Sequence, residues 1–296
     1  MDILILSRNK NIYSTNRLSE VGLKRGHRIK VIDYMRCYMN INSVKPAIYF
    51  GEKLINRVDA VIPRIGASVT SYGTAVVRQL EMMNCYCFNS ANAILNSRDK
   101  LKSLQILASN GISLPNTGFA NHTKDIQTVI ENFDSVPLVV KLLHGTQGQG
   151  VILAETAKAA ADIMNAFRQL NTEIMVQEFI KESAGTDIRA LVVGNKVIAA
   201  MRRIAPEGEF RSNVHQGGET VLVELTAREI EVAIKAVKIF NLSIAGVDIM
   251  RSNRGPLVVE VNSSPGLQGI ENCSGVDVAT EIYKHIEEVM SNNIQI

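Results

Sequence analysis

The chain has 296 residues, 46% of them hydrophobic and 21% charged, with a formal net charge of +3. That length suits about two average domains, and the composition supports a sizeable core and excludes a disordered or fibrous protein. The near-neutral balance argues against a nucleic-acid binder, which would gather a basic excess on one face. No apolar run approaches the roughly 18 residues of a membrane span, and the first apolar stretch, Ile3 to Leu6, has no cationic region before it. Neither a signal peptide nor a membrane partner is therefore expected. Cys37, Cys85, Cys87 and Cys273 are too few and scattered for a disulfide framework and read as buried thiols in a cytoplasmic α/β protein.

Strand-like and helix-like segments alternate from the start. Residues 2–6 read as a buried strand, 14–24 as a helix that Gly26 ends, and 28–32 as a second strand, which makes a βαβ unit. Residues 59–62 form a third strand closed by Pro63, 74–83 a helix with Ala75, Val76, Leu80 and Met83 on one stripe, and 85–88 a fourth strand. No G-x-G-x-x-G follows the first strand, so this small parallel domain reads as scaffold and substrate wall. A helix over 98–108 leads to Gly111 and Pro115, a plausible boundary.

Beyond it the pattern predicts a strand over 137–141, a helix over 157–170 and a strand over 173–180. A hairpin over 187–201 turns at Gly194-Asn195, and a helix covers 227–240. Strands 244–250 and 257–261 are joined by the turn 251–256, and a helix over about 276–290 follows. The domain organisation is thus 1–97 and 98–296, the latter divided at 183/184.

Chemistry concentrates in four stretches. If the last hairpin pairs symmetrically about Arg254, Asp248 faces Glu260 and Asn262 shares that face. Oxygen ligands of this kind, costly to bury without a cation, suit Mg²⁺ or Mn²⁺ rather than zinc; the alternative is a solvated sheet face. Lys141 ends an apolar strand and is followed by His144-Gly145-Thr146-Gln147-Gly148-Gln149-Gly150, either a phosphate-cradling nest beside a point charge or a flexible turn. Val176-Gln177-Glu178-Phe179-Ile180 followed by Asp187 could offer a strand edge to adenine and an acid to ribose, although on spacing alone a buried strand entering a polar loop fits better. Arg202, Arg203, Arg211, Ser212 and Asn213 form a cationic, polar stretch able to clamp phosphate and an acidic substrate, or to serve as a solvated loop.

Taken in order, Arg98-Asp99-Lys100, Lys141, the loop 145–150, Gln177-Glu178-Phe179-Ile180, Asp187, Arg211-Ser212-Asn213, Asp248 and Glu260-Val261-Asn262-Ser263-Ser264-Pro265-Gly266 resemble the ATP-grasp ligases over residues 98–290. Residues 37–42, 61–66, 210–213 and 255–258 extend the resemblance to the RimK-type ligases, end to end. The resemblance implies an α/β protein with an ATP-grasp fold preceded by a small parallel α/β pre-ATP-grasp domain. It implies that Lys100 and Lys141 contact ATP phosphates under a lid containing Gly145, Gln147 and Gly148. Gln177, Glu178, Phe179 and Ile180 would hold adenine, Asp187 the ribose, and Arg211, Ser212 and Asn213 the phosphate end. Asp248, Glu260 and Asn262 would carry two Mg²⁺ or Mn²⁺ ions.

The implied reaction activates a carboxylate as an acyl-phosphate and joins it to an amine. Free glutamate would be added by α-peptide bonds to the C-terminus of the sixth protein of the small ribosomal subunit, with free poly-α-glutamate a further product. Arg211, Arg203 and Arg202 are the candidate catalytic residues; Arg202 and Arg203 are expected to recognise acidic substrate, with Arg64 as a further candidate. The family also suggests a homotetramer. Related ligases with carrier-protein or coenzyme acceptors are the alternative; a non-catalytic regulator is disfavoured because Asp248, Glu260 and Asn262 all stand.

Overall fold

A computed structural model describes residues 1–143, 150–210 and 218–293. Its first elements, β1 (Asp2–Leu6), α1 (Tyr13–Lys24) and β2 (Arg28–Ile32), form the expected parallel βαβ unit, with Gly26 at φ +83° after the helix. β3 (Cys37–Asn40), β4 (Ala47–Phe50) and β5 (Lys53–Leu54) then make a small antiparallel sheet that the sequence pattern does not announce. Strands of two to four residues are too short for periodicity to register. β6 (Ala60–Pro63), α2 (Thr70–Met82) and β7 (Tyr86–Cys87) complete a parallel sheet in the order β2-β1-β6-β7. Alternation along β1 sends Ile3 and Ile5 into one core with Leu18 of α1, and Leu4 and Leu6 into another with Val76, Val77 and Leu80 of α2. Both faces are covered, which is why β1 reads as an unbroken apolar run. Cys37, Cys85 and Cys87 are buried free thiols and Cys273 is a half-buried one.

The helix expected over 98–108 is α4 (Lys100–Ser109), and a separate helix that the sequence pattern does not announce, α3 (Ala91–Arg98), precedes it. Asp99 breaks the run: its side chain accepts the Lys102 N–H at 3.0 Å and caps α4 while its own backbone is extended. β8 (Thr117–Phe119), α5 (Ile126–Glu131), β9 (Leu138–Leu142), β10 (Val151–Ala154), α6 (Ala157–Gln169) and β11 (Ile174–Glu178) follow. They build an antiparallel sheet in the order β10-β9-β11-β8, with Leu138, Val140 and Val176 packed against Ile126, Ile130, Ala160 and Met164 of the two helices.

The last sheet is antiparallel, in the order β14-β13-β12-β15-β16. It comprises β12 (Thr186–Val193), β13 (Lys196–Ile204), β14 (Glu219–Leu222), β15 (Ile244–Ser252) and β16 (Gly255–Asn262), with α7 (Ala227–Ile239) before β15 and α8 (Gln268–Ser274) and α9 (Val278–Asn293) after β16. A capping box of Thr226 and Glu229 starts α7. Its Ala233, Ala236 and Val237 cover the face carrying Ile188, Ala190, Val247, Ile249 and Val261. On the opposite face, Leu191, Val193, Ala199, Met201 and Ile244 share a core with Ile270 of α8, Ile282 and Tyr283 of α9, and Ile3 and Ile5 of β1. That shared core seats the N-terminal domain on the last sheet. Asn89 adds a polar staple at the same junction: its amide accepts Ser243 N–H at 2.6 Å and Ile244 N–H at 3.0 Å, and donates to the carbonyls of Ile244 at 2.8 Å and Ser263 at 2.9 Å.

The β15–β16 hairpin pairs Asp248 with Glu260, as the alternation predicts, but not through a turn centred on Arg254. Ser252 pairs with Gly255 across a two-residue turn, and Ile249 with Val258, a register that would set Asp248 opposite Val259. A bulge at Val259 shifts the strand by one residue and brings Glu260 beside Asp248. No helix among the described residues is long and apolar enough to cross a membrane.

Candidate active site

The face of the last sheet that is apolar under α8 and α9 turns charged at its other end. Successive same-face positions along β12 are Val193, Leu191, Arg189 and Asp187; those along β15 are Ile244, Gly246 and Asp248. Asp187 pairs across strands with Arg203, and Arg189 with Asp248. The Arg203 guanidinium meets Asp187 at 2.6 and 2.5 Å and reaches Asp248 at 2.8 Å, while Arg189 grips Asp248 with two bonds of 2.7 Å. Asp248 is 5% exposed and Arg203 3%, so unpaired charge here would be costly. Burial alone would raise the Asp248 carboxyl; Arg189 and Arg203 overcome it and hold it at about 2. Arg203 is likewise kept charged by Asp248 and Asp187 against its burial. A Cβ at Gly246 would sit in ordinary contact with Arg189, at 3.5 Å, but would crowd Pro265 Cβ at 3.2 Å.

Arg189 was not among the residues singled out from the sequence. Its signal was available in the i, i+2 spacing from Asp187, which puts both on one strand face. Arg202, expected beside Arg203, stands on the other face of β13 and is exposed.

Glu260 is exposed and, among the described residues, makes no hydrogen bond or ion pair, in contrast to its partner Asp248. Asn262 is half-buried on the same face; its Oδ1 accepts the Ser264 N–H at 3.0 Å. Among the described residues no three His, Cys, Asp or Glu side chains gather at one point. The oxygen set is therefore two carboxylates and an amide. That fits a hard divalent cation completing its shell with substrate phosphates and water.

The middle sheet supplies the cations. Lys141 on β9 donates to Gln177 Oε1 on β11 at 2.5 Å, and Gln177 Nε2 donates to Thr117 Oγ1 at 2.8 Å. Burial pushes the Lys141 ammonium down to about 8, countered by Glu260 and Asp187 and reinforced by Lys100. Lys100, at the start of α4, donates to the carbonyls of Leu142 and Leu143 at 3.1 and 3.2 Å; burial lowers its pKa and Glu260 opposes the shift. Two lysines from the middle sheet side and two carboxylates from the last sheet thus share one electrostatic neighbourhood. Glu178, Phe179 and Ile180 leave this sheet at the end of β11; the Glu178 carboxylate accepts Asn116 N–H at 2.6 Å and the Arg254 guanidinium. Gly145, Gln147, Gly148, Arg211, Ser212 and Asn213 lie outside the described residues.

The chain matches the RimK-like ATP-grasp domain over residues 97–286 and the RimK PreATP-grasp domain over residues 1–94. It belongs to the RimK family of ATP-grasp ligases. A "probable alpha-L-glutamate ligase" of Aliivibrio salmonicida is 59% identical over 97% of this chain and 96% of that one. One of the same description from Shewanella loihica is 56% identical over 99% and 97%. Among solved structures, the ATP-grasp ligase PsnB complexed with minimal precursor superposes with a TM-score of 0.76 at 20% identity, covering 97% and 98% of the chains. A RimK domain protein from Sphaerobacter thermophilus gives 0.71 at 21% identity, covering 97% and 99%. At those identities the structures speak to the fold: an ATP-grasp domain after a pre-ATP-grasp domain, as the RimK resemblance implied.

Proposed function

We propose that this RimK-family ligase adds free L-glutamate through α-peptide bonds to a protein C-terminus, that of the sixth protein of the small ribosomal subunit. Near-full-length relatives named as α-L-glutamate ligases support the amino acid, and the implied RimK-type reaction supports the acceptor. The observation that carries the ligase chemistry is Glu260, paired across strands with Asp248, in the electrostatic field of Lys100 and Lys141. Transfer of a phosphoryl group requires little covalent help and much electrostatic clamping, and this arrangement offers both signs of charge.

In the proposed reaction a carboxylate oxygen of the acceptor attacks the γ-phosphorus of ATP and ADP leaves. The amine of glutamate then attacks the acyl carbon, inorganic phosphate leaves, and the ammonium proton is lost to solvent. Lys100 and Lys141 hold phosphate oxygens, Gln177 fixes the Lys141 ammonium, and the Glu178-Phe179-Ile180 strand end takes adenine. Asp187 takes the ribose, and Arg203, clamped between Asp187 and Asp248, sets the position of both carboxylates. Asp248, Glu260 and Asn262 would hold two Mg²⁺ or Mn²⁺ ions, which when bound neutralise the phosphate charge. Arg202, on the opposite face, has no role in this scheme.

Intact-mass spectrometry of the ribosomal protein after incubation with enzyme, ATP, Mg²⁺ and glutamate tests the reading, with Glu260→Ala alongside. A ladder spaced by one glutamate residue and absent in the variant is expected. ADP formation without a ladder removes the acceptor and keeps the ligase; no ADP with glutamate removes the glutamate reading.

A further inference from the structure

Among the described residues, Arg64 and Arg98 are two cations without a carboxylate partner. Arg64 follows β6, and its Nη2 donates to the Pro265 carbonyl at 2.7 Å, while its Nε is inaccessible to solvent and has no partner. Arg98, the last residue of α3, donates to Thr70 Oγ1 at 2.9 Å, to the Gly66 carbonyl at 3.2 Å, to Ser264 Oγ at 3.3 Å and to the Ile65 carbonyl. Neither pairs with a carboxylate among the described residues, and residues 144–149, 211–217 and 294–296 contain no Asp or Glu. Burial, and for Arg64 also the charge of Arg98, pushes both guanidiniums down to about 10. Holding two like charges together with only neutral acceptors is unfavourable unless an anion completes the site.

Their place in the fold points the same way. β1 is followed by α1 and β2 on one side, while β6 lies on its other side, and α1 and α2 cover opposite faces. The crevice at the carboxyl ends of β1 and β6 is thus the switch point of the N-terminal sheet, where open parallel α/β sheets bind ligands. Arg64 is the first residue beyond β6. Its partner Pro265 and the Arg98 partner Ser264 belong to the loop directly after Asn262, so the pair adjoins the proposed metal end of the active site. In the same loop Ser263 Oγ is buried without a partner.

We propose that Arg64 and Arg98 form a carboxylate-binding subsite that holds the incoming dicarboxylic amino acid at the junction of the two domains. This rests on the glutamate-ligase reading and adds to it the residues that select the amino acid. The Pro265 carbonyl holds the Arg64 guanidinium through one Nη2 hydrogen, so a carboxylate binds its remaining donors without reordering a long side chain, while the Nη hydrogens of Arg98 are taken by its neutral acceptors and Arg98 contributes charge.

The test is steady-state ADP release by the full-length enzyme with Mg–ATP, acceptor and L-glutamate, for wild type, Arg64→Gln and Arg64→Lys. Loss of a charge-assisted contact in Arg64→Gln is expected to raise KM for glutamate about 10–100-fold and to leave KM for ATP unchanged. Wild type is expected to reject glutamine or the α-amide of glutamate, and Arg64→Gln to lose that preference, a readout that loosened packing would not move. If Arg64→Gln does not fold, Arg64→Lys, which keeps the charge and loses the fork, carries the same comparison. Unchanged KM for glutamate in a folded variant overturns the inference. So does an equal rise in KM for ATP, which would assign the pair to nucleotide phosphate. A wild type that releases no ADP with glutamate overturns instead the reading on which the inference rests.

Discussion

The Arg189 guanidinium meets the Asp248 carboxylate in two parallel hydrogen bonds of 2.7 Å across adjacent strands. Arg203 reaches the same carboxylate from the next strand at 2.8 Å. A group proposed to bind metal is therefore already held in place by two cations, and its geometry is fixed by the sheet.

Removal of Arg189 should destabilise the fold by about 3 kcal/mol, because the buried carboxylate loses one of its two cationic partners. Asp248→Asn should cost more, since Arg189 then loses its counter-charge and Arg203 keeps only Asp187. The Asp248 pKa is depressed to about 2 from its ordinary 3.8, so its contribution is present above about pH 4 and is lost as pH falls toward 2. In Arg189→Ala the folded-state pKa rises toward 3.8, so that loss should be smaller and complete at higher pH. Urea unfolding of both variants between neutral and acid pH measures each effect.

The lowered pKa of Lys141, about 8, makes a prediction for nucleotide binding. Phosphate placed beside this ammonium favours its charged form, so the bound pKa exceeds the free one. Above pH 8 binding should take up a proton, and ATP affinity should fall as pH rises. Calorimetry in buffers of different ionisation enthalpy detects the uptake. In Lys141→Met it should disappear, with weaker binding throughout.

Glu260 separates function from stability. Its side chain is exposed and forms no hydrogen bond or close ion pair with another described residue, so Glu260→Gln should change unfolding free energy by no more than about 0.5 kcal/mol. Outer-shell substitutions at metal sites cost 10–100-fold, so loss of this ligand should weaken Mn²⁺ binding with ADP by about 100-fold or more. Paramagnetic titration of Mn²⁺ gives the affinity, and equal affinities in variant and wild type would move the metal elsewhere.

Asn89 tests the junction between the domains. Its side chain satisfies four backbone groups around Ser243, Ile244 and Ser263. Asn89→Ala leaves them buried without partners and should cost about 3 kcal/mol. Because Ser263 begins the loop that touches Arg64 and Arg98, KM for glutamate should rise in this variant as well, even at temperatures where it is fully folded.

Most of the longer elements are legible in the chain order, while the short strands β3–β5, β8, β10 and β14 and the helices α3 and α5 are not. The apolar run of β1, the Gly194-Asn195 turn and the glycine at 26 encode local structure through periodicity and allowed backbone angles, which act over a few residues. Alternation likewise placed Glu260 and Asn262 on one face. How Asp248 comes to face Glu260 is not legible in the chain order, since a bulge at Val259 depends on pairing along the whole hairpin. The tertiary structure alone showed that Arg203 is locked between Asp187 and Asp248 while Arg202 faces away, because the partners come from three strands. The uncompensated pair Arg64–Arg98 was equally invisible in the chain order. A cation's partners are fixed by the folding of distant segments against it: Arg98 comes beside Arg64 through the Ile65 and Gly66 carbonyls, and the loop after β16 then meets both.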